Sequence, residues 1–124
     1  MKFLLTSCIC LFLGVGSAWP AAPQDFTLHT GQDLLDLCGS SPTDEFYEQA
    51  KLVCYGYLEG VAQFYDEALR EKRIRPIYCD PSEVTRRQAA EAIAMWAKHH
   101  PHYLNRSPLE VALRAAEEIW PCKK

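Results

Sequence analysis

Apolar residues recur along this chain at steps of three and four, the spacing that predicts helices rather than strands. The first predicted helix covers 30–38: Leu34, Leu35 and Cys38 share a face, Thr30 suits the N-cap, and Gly39 suits a left-handed stop. A second, much longer one opens near Pro42-Thr43-Asp44, with Thr43 or Asp44 as its cap. Its apolar stripe reads Phe46, Ala50, Val53, Cys54, Tyr57, Val61, Phe64 and Ala68, about six turns at 3.6 residues per turn. Thr85-x-x-Gln88 is a capping box, and Ala89, Ala92, Ile93, Trp96 and Ala97 give the third helix its apolar face. The run His99-His100-Pro101 ends it. Ser107-Pro108-x-Glu110 is a second capping box, followed by Leu109, Ala112, Leu113, Ala116, Ile119 and Trp120, and Pro121 stops the fourth helix.

No alternating run of β-branched residues interrupts this pattern, so the expected fold is all-α. Short turns between the first and second and between the third and fourth helices predict two antiparallel helical hairpins. An irregular link over 71–84, with Pro76, Cys79 and Pro81, joins them. Gly56 and Gly60 fall inside the longest helix, where each costs roughly 1 kcal/mol relative to Ala. The expected compensation is a neighbouring helix packed closely against them.

Residues 1–18 read as a secretion signal, with Lys2 at the charged start, an apolar run over 3–16, and Gly16-Ser17-Ala18 as a small-residue cleavage site. That run is shorter than the roughly 20 residues needed to span a bilayer, so no membrane span is expected after cleavage. Cys8 and Cys10 leave with the signal. Of the 124 residues, 106 remain as one domain over 19–124, beginning with a loose leader at Trp19-Pro20-Ala21-Ala22-Pro23. An exported chain keeping Cys38, Cys54, Cys79 and Cys122 is expected to form two disulfides. Three connectivities are open to four cysteines. The helix layout favours Cys38–Cys54 across the first hairpin and Cys79–Cys122 across the ends of the second, each stapling one hairpin.

Without Lys2 the formal net charge falls from −3 to −4, which disfavours nucleic acid or an anionic membrane as partner. The densest basic stretch, 70–75, is short and interrupted by Glu71. His99, His100 and His102 lack the convergent geometry of a metal site, and a helix C-terminus accounts for them better. Asp66-Glu67 and Glu117-Glu118 are adjacent in sequence and so do not face each other on a helix. No nucleophile elbow, zinc helix or phosphate loop is present. The expectation is a binding protein with no catalytic residue, metal or cofactor.

The order of motifs narrows this. Leu34-Leu35-x-x-Cys38 is followed by Cys54-x-Gly56-Tyr57-Leu58-x-Gly60-Val61, then Cys79-x-Pro81 with Val84-Thr85-x-x-Gln88, then His100-Pro101 and Trp120-Pro121-Cys122. In that order, over residues 28–122, the chain resembles the Tai family, immunity proteins against type VI secretion amidases. The likeness implies a periplasmic all-α protein that binds and occludes a peptidoglycan amidase effector, commonly as a homodimer. The sequence departs from the family pattern where Gln63 and Phe64, rather than an acidic residue, follow the glycine element.

Occlusion calls for rigidly held, protruding residues with polar or aromatic tips. The candidates are Arg73, Arg75 and Tyr78 in the link, and His102, Tyr103, Asn105 and Arg106 in the turn between the third and fourth helices. A small disulfide-stapled periplasmic chaperone or stress protein, without an amidase partner, is the alternative reading.

Overall fold

The computed structural model describes residues 26–79 and 82–123. The secretion signal, its two cysteines and the leader expected after it lie outside the described residues. Four α-helices follow in order: α1 (Gly31–Cys38), α2 (Tyr47–Arg70), α3 (Arg86–His99) and α4 (Pro108–Ile119). A 3-10 turn, Pro101–Tyr103, joins α3 to α4. No strand occurs among the described residues, and the fold is all-α as expected. None of the described helices is long and apolar enough to cross a membrane.

Local chemistry starts three of the four helices. Thr30 Oγ1 accepts from the Asp33 amide, while the Asp33 carboxylate accepts from the amides of Thr30 and His29 at 2.8 and 2.9 Å. Those two backbone donors hold the Asp33 carboxyl below its ordinary value. Thr85 and Gln88 form the same reciprocal box at α3. At α4 only half of the predicted box forms: Ser107 Oγ accepts from the Glu110 amide, but the Glu110 carboxylate turns to Arg114 Nε at 3.0 Å. The opening of α2 is a correction. It begins at Tyr47 with no side-chain cap, because Asp44 accepts from the Ser41 amide at 2.7 Å and closes a separate turn. Gly39 is also not left-handed, having φ −90° and ψ 0° while its amide donates to Leu35 O.

Short α1 lies at the centre of the packing. It touches α2, α3 and α4, and α3 packs in turn against α2 and α4. The core is therefore one cluster, with α1 meeting α3 as extensively as it meets α2. Leu34, Cys38, Cys54 and Val111 are its fully buried larger side chains. Much of the remainder is alanine: Ala90, Ala94 and Ala97 on α3, with Ala112, Ala115 and Ala116 on α4. Helices approach closely where side chains are small. Ile93, Trp96 and Ala97 on α3 and Ala112 and Ala116 on α4 are buried as expected, and the close approach also buries Ala90, Ala94, Val111 and Ala115 and leaves Leu109 outward.

The stripe expected on α2 holds at Ala50, Cys54 and Ala68 and shifts elsewhere. Ala50, Cys54, Tyr65 and Ala68 are buried, whereas Phe46 and Phe64 face solvent. Gly56 and Gly60 are exposed, and a Cβ added to either would meet nothing within 4 Å. The close helix contact expected there does not form among the described residues. Both disulfides pair as the helix layout suggested: Cys38–Cys54 joins the end of α1 to α2, and Cys79–Cys122 joins the link before α3 to the residue beyond α4. Beside the first, buried Lys51 donates to Cys38 O at 2.6 Å and so caps the end of α1.

Candidate functional site

The turn after α3 is fixed from three sides. Pro101 ends α3, and the Tyr103, Leu104 and Arg106 amides donate to His100, Pro101 and Tyr103 carbonyls at 2.9–3.1 Å. From α1, the Gly31 amide donates to Arg106 O at 2.7 Å and the Gln32 amide to Leu104 O at 2.9 Å. The first amides of a helix have no partner within it. Here the turn's carbonyls supply one, so α1 clamps the loop. Gly31 makes this approach possible, since a Cβ there would lie 2.5 Å from Val111 Cγ2 and 3.0 Å from Tyr103 O.

Aromatic side chains hold the third side. Trp96 is 8 % exposed, and its Nε1 donates to Glu118 Oε2 at 2.6 Å. The His100 ring stacks on it with centroids 4.0 Å apart and donates through Nδ1 to Trp96 O at 2.7 Å. That donation turns Nε2 toward Glu118, 3.9 Å away. Tyr103 stacks on Trp96 from 5.5 Å, with His102 at 4.3 Å from it and the Arg114 guanidinium 5.0 Å from its ring centre. The Glu110 hydrogen bond, aided by Tyr103, raises the Arg114 pKa further, so its charge is permanent. Trp96, His100, His102, Tyr103, Arg114, Glu117 and Glu118 together line a surface notch. His99 donates to Met95 O at 2.8 Å, so the neighbouring imidazoles are tied back to their own helix.

Of the sequence candidates, His102 and Tyr103 meet in this notch. Tyr103 is half-buried against the core and does not protrude, while Asn105 and Arg106 are exposed around it. In the link, Arg75 is exposed and Arg73 is exposed and ion-paired with Glu71. Tyr78 is not a protruding tip. It stacks on Tyr65 at 4.2 Å, and the Tyr65 hydroxyl accepts from the Ile77 and Tyr78 amides and donates to Tyr78 O at 2.8 Å. One donation and two acceptances use the full capacity of a phenol. Ile77 instead reaches α4, bordering a hollow with Leu109, Leu113, Arg114 and Glu117. The two loops thus flank one outward ridge of α4.

Sequence reasoning missed Trp96, His100, Arg114 and Glu118 as parts of this site. The apolar spacing places the first in the core, and the second reads as a helix end. A signal was present in Glu110 and Arg114, four residues apart on one helix face.

No curated protein and no solved structure matches the chain. A protein-family model described as Rap1a immunity proteins matches residues 30–122. That span takes in all four helices and both disulfides. The match lies with this family and not under the Tai name, and both names denote immunity proteins, whose task is to bind a secreted effector. The chain belongs to the Rap1a immunity protein family.

Proposed function

We propose that this protein acts in the periplasm, after cleavage of its signal, as the immunity partner of a type VI secretion peptidoglycan amidase. Family membership supports an effector-binding role, and the motif order of the sequence supports the amidase. The observation carrying the proposed contact surface is the clamped turn at 100–106. A loop whose backbone is fixed before binding loses little conformational entropy on association. His102, Arg106 and the α4 ridge of Leu113, Arg114 and Glu117 offer the mixture of aromatic, cationic and apolar tips that interfaces use. Inhibition follows from covering the amidase's substrate cleft and needs no reaction at these residues.

The test is co-purification with a type VI amidase from the same genome, read out by hydrolysis of isolated sacculi. The wild-type chain is expected to inhibit stoichiometrically. His102→Ala with Arg106→Ala should weaken inhibition about tenfold, equivalent to about 1.4 kcal/mol, while folding stability moves by no more than about 0.5 kcal/mol. Undiminished inhibition by this pair together with Arg114→Ala would exclude the turn. A chain that binds none of these amidases would exclude the amidase reading.

A further inference from the structure

Helices α2 and α4 both pack on α3 but barely meet each other. Between them lies a hollow of about 170 Å³, which no residue of the turn at 100–106 lines. Leu58 and Val61 of α2, Ile93 of α3 and Leu113 of α4 give it apolar walls. Ala62, Ala112 and Ala116 line it as well, and their single methyl groups are too short to close the gap. Protein interiors otherwise leave few voids larger than a water molecule.

Size limits the occupant. A cavity of roughly 150 Å³ takes one benzene ring, whereas sites for drug-sized ligands start at roughly 300 Å³. The hollow therefore accepts one apolar group the size of a side chain. A dinucleotide or a lipid's acyl chain is too large for it.

Charge specifies the rest. Glu59 of α2 and Arg86, the first residue of α3, both border the hollow, with Arg86 Nε 2.8 Å from Glu59 Oε2. The Arg86 side chain is 70 % exposed, and a pair so open to water is held only weakly. A guanidinium has several N–H donors, so Arg86 held through Nε still offers its terminal nitrogens to a carboxylate. On the other side, Glu59 Oε1 accepts from the Gln63 side-chain amide at 3.1 Å. A carboxylate has about four acceptor sites, so an ammonium group can join those two donors. Opposite charges side by side, next to an apolar hollow, match a small zwitterion with an apolar side chain. A ligand of one charge would meet its own sign at Glu59 or at Arg86. An uncharged one would leave both unused.

We propose that this hollow binds a free α-amino acid with an apolar side chain. Its carboxylate lies on Arg86, its ammonium on Glu59, and its side chain between α2 and α4. The assignment rests on the hollow alone and holds whichever effector the protein binds.

NMR titration of the exported chain with L-phenylalanine should give a dissociation constant below about 1 mM. The compounds 2-phenylethylamine and 3-phenylpropanoate each lack one charge and should bind at least about tenfold more weakly. The losses should follow the charges. Arg86→Gln should weaken phenylalanine and 3-phenylpropanoate but spare 2-phenylethylamine, and Glu59→Gln should weaken phenylalanine and 2-phenylethylamine but spare 3-phenylpropanoate. Ala62→Leu fills the hollow and should remove binding of all three. Thermal melts check that each variant stays folded. No binding of phenylalanine at about 10 mM would overturn the proposal. So would equal binding of the three compounds, or an affinity for phenylalanine indifferent to Arg86→Gln and Glu59→Gln.

Discussion

Gly31 shows how one missing side chain sets the geometry of the proposed contact turn. It sits at the first position of α1, where a glycine weakens the helix and no cap requires it. Its value lies in the crowding around it, with Val111, Tyr103 O and Leu104 Cα all within 3.2 Å of where a Cβ would lie. Gly31→Ala is expected to push α1 off the turn and cost about 1–3 kcal/mol, as overpacking does. Urea melts give the cost, and faster hydrogen exchange at the Gln32 amide would report release of the clamp. Unchanged midpoints and protection would show that the turn does not need α1. Lys51 and Tyr65 are comparable residues on α2: each buries an apolar body and spends its polar tip on the backbone of a neighbouring segment.

At the scale of elements, the end of α2 carries a strained residue. The Lys72 amide donates to Leu69 O and the Arg73 amide to Ala68 O, the paired bonds of a Schellman motif. Lys72 occupies its left-handed position with φ 56°, where glycine is normally found. Lys72→Gly removes a left-handed cost of about 1–2 kcal/mol and adds about 0.4–1 kcal/mol of unfolded-state entropy. A net gain of about 0.5–1 kcal/mol is expected from the difference between those two effects. Chemical denaturation checks it, and a loss of stability would mean that the lysine side chain contributes more than its backbone strain removes. The consequence reaches the link, because this motif starts the path to Ile77 and to Tyr78, which Tyr65 then anchors.

For the whole molecule, the two disulfides differ in access. Cys38 and Cys54 are buried in the core, whereas Cys79 is exposed and Cys122 half-buried. Thiol exchange requires the attacking thiolate to reach sulfur. Low dithiothreitol on the folded protein should therefore open Cys79–Cys122 first, as read by alkylation and peptide mass mapping. With sequence separations of 43 and 16 residues, the chain-entropy model assigns the bridges about 4 and about 3 kcal/mol. The accessible bridge is thus also the one whose loss costs more. Prior opening of Cys38–Cys54 would show that burial does not govern the order.

How much of this was legible in the sequence depends on the range of the interaction. Helix number and type, the N-cap at Thr30, the capping box at Thr85, and the disulfide partners follow from residues a few positions apart or from the order of helices. The likeness to immunity proteins was likewise carried by motif order. The tertiary structure decided where the edges of each buried face fall. A stripe read from large apolar residues chose Phe64 and Leu109, while packing chose Tyr65 and Val111. One helical residue is a turn of 100°, so neighbouring positions point to nearly perpendicular directions. Small residues such as Ala90 and Ala115 carry little hydrophobic signal, yet they determine how closely two helices approach. The turn at 100–106, proposed as the contact, depends on the same kind of information. His102 and Tyr103 are visible as loop aromatics, but their grouping with Trp96, Arg114 and Glu118, and the grip of Gly31 on their backbone, exist only once α1, α3 and α4 are assembled.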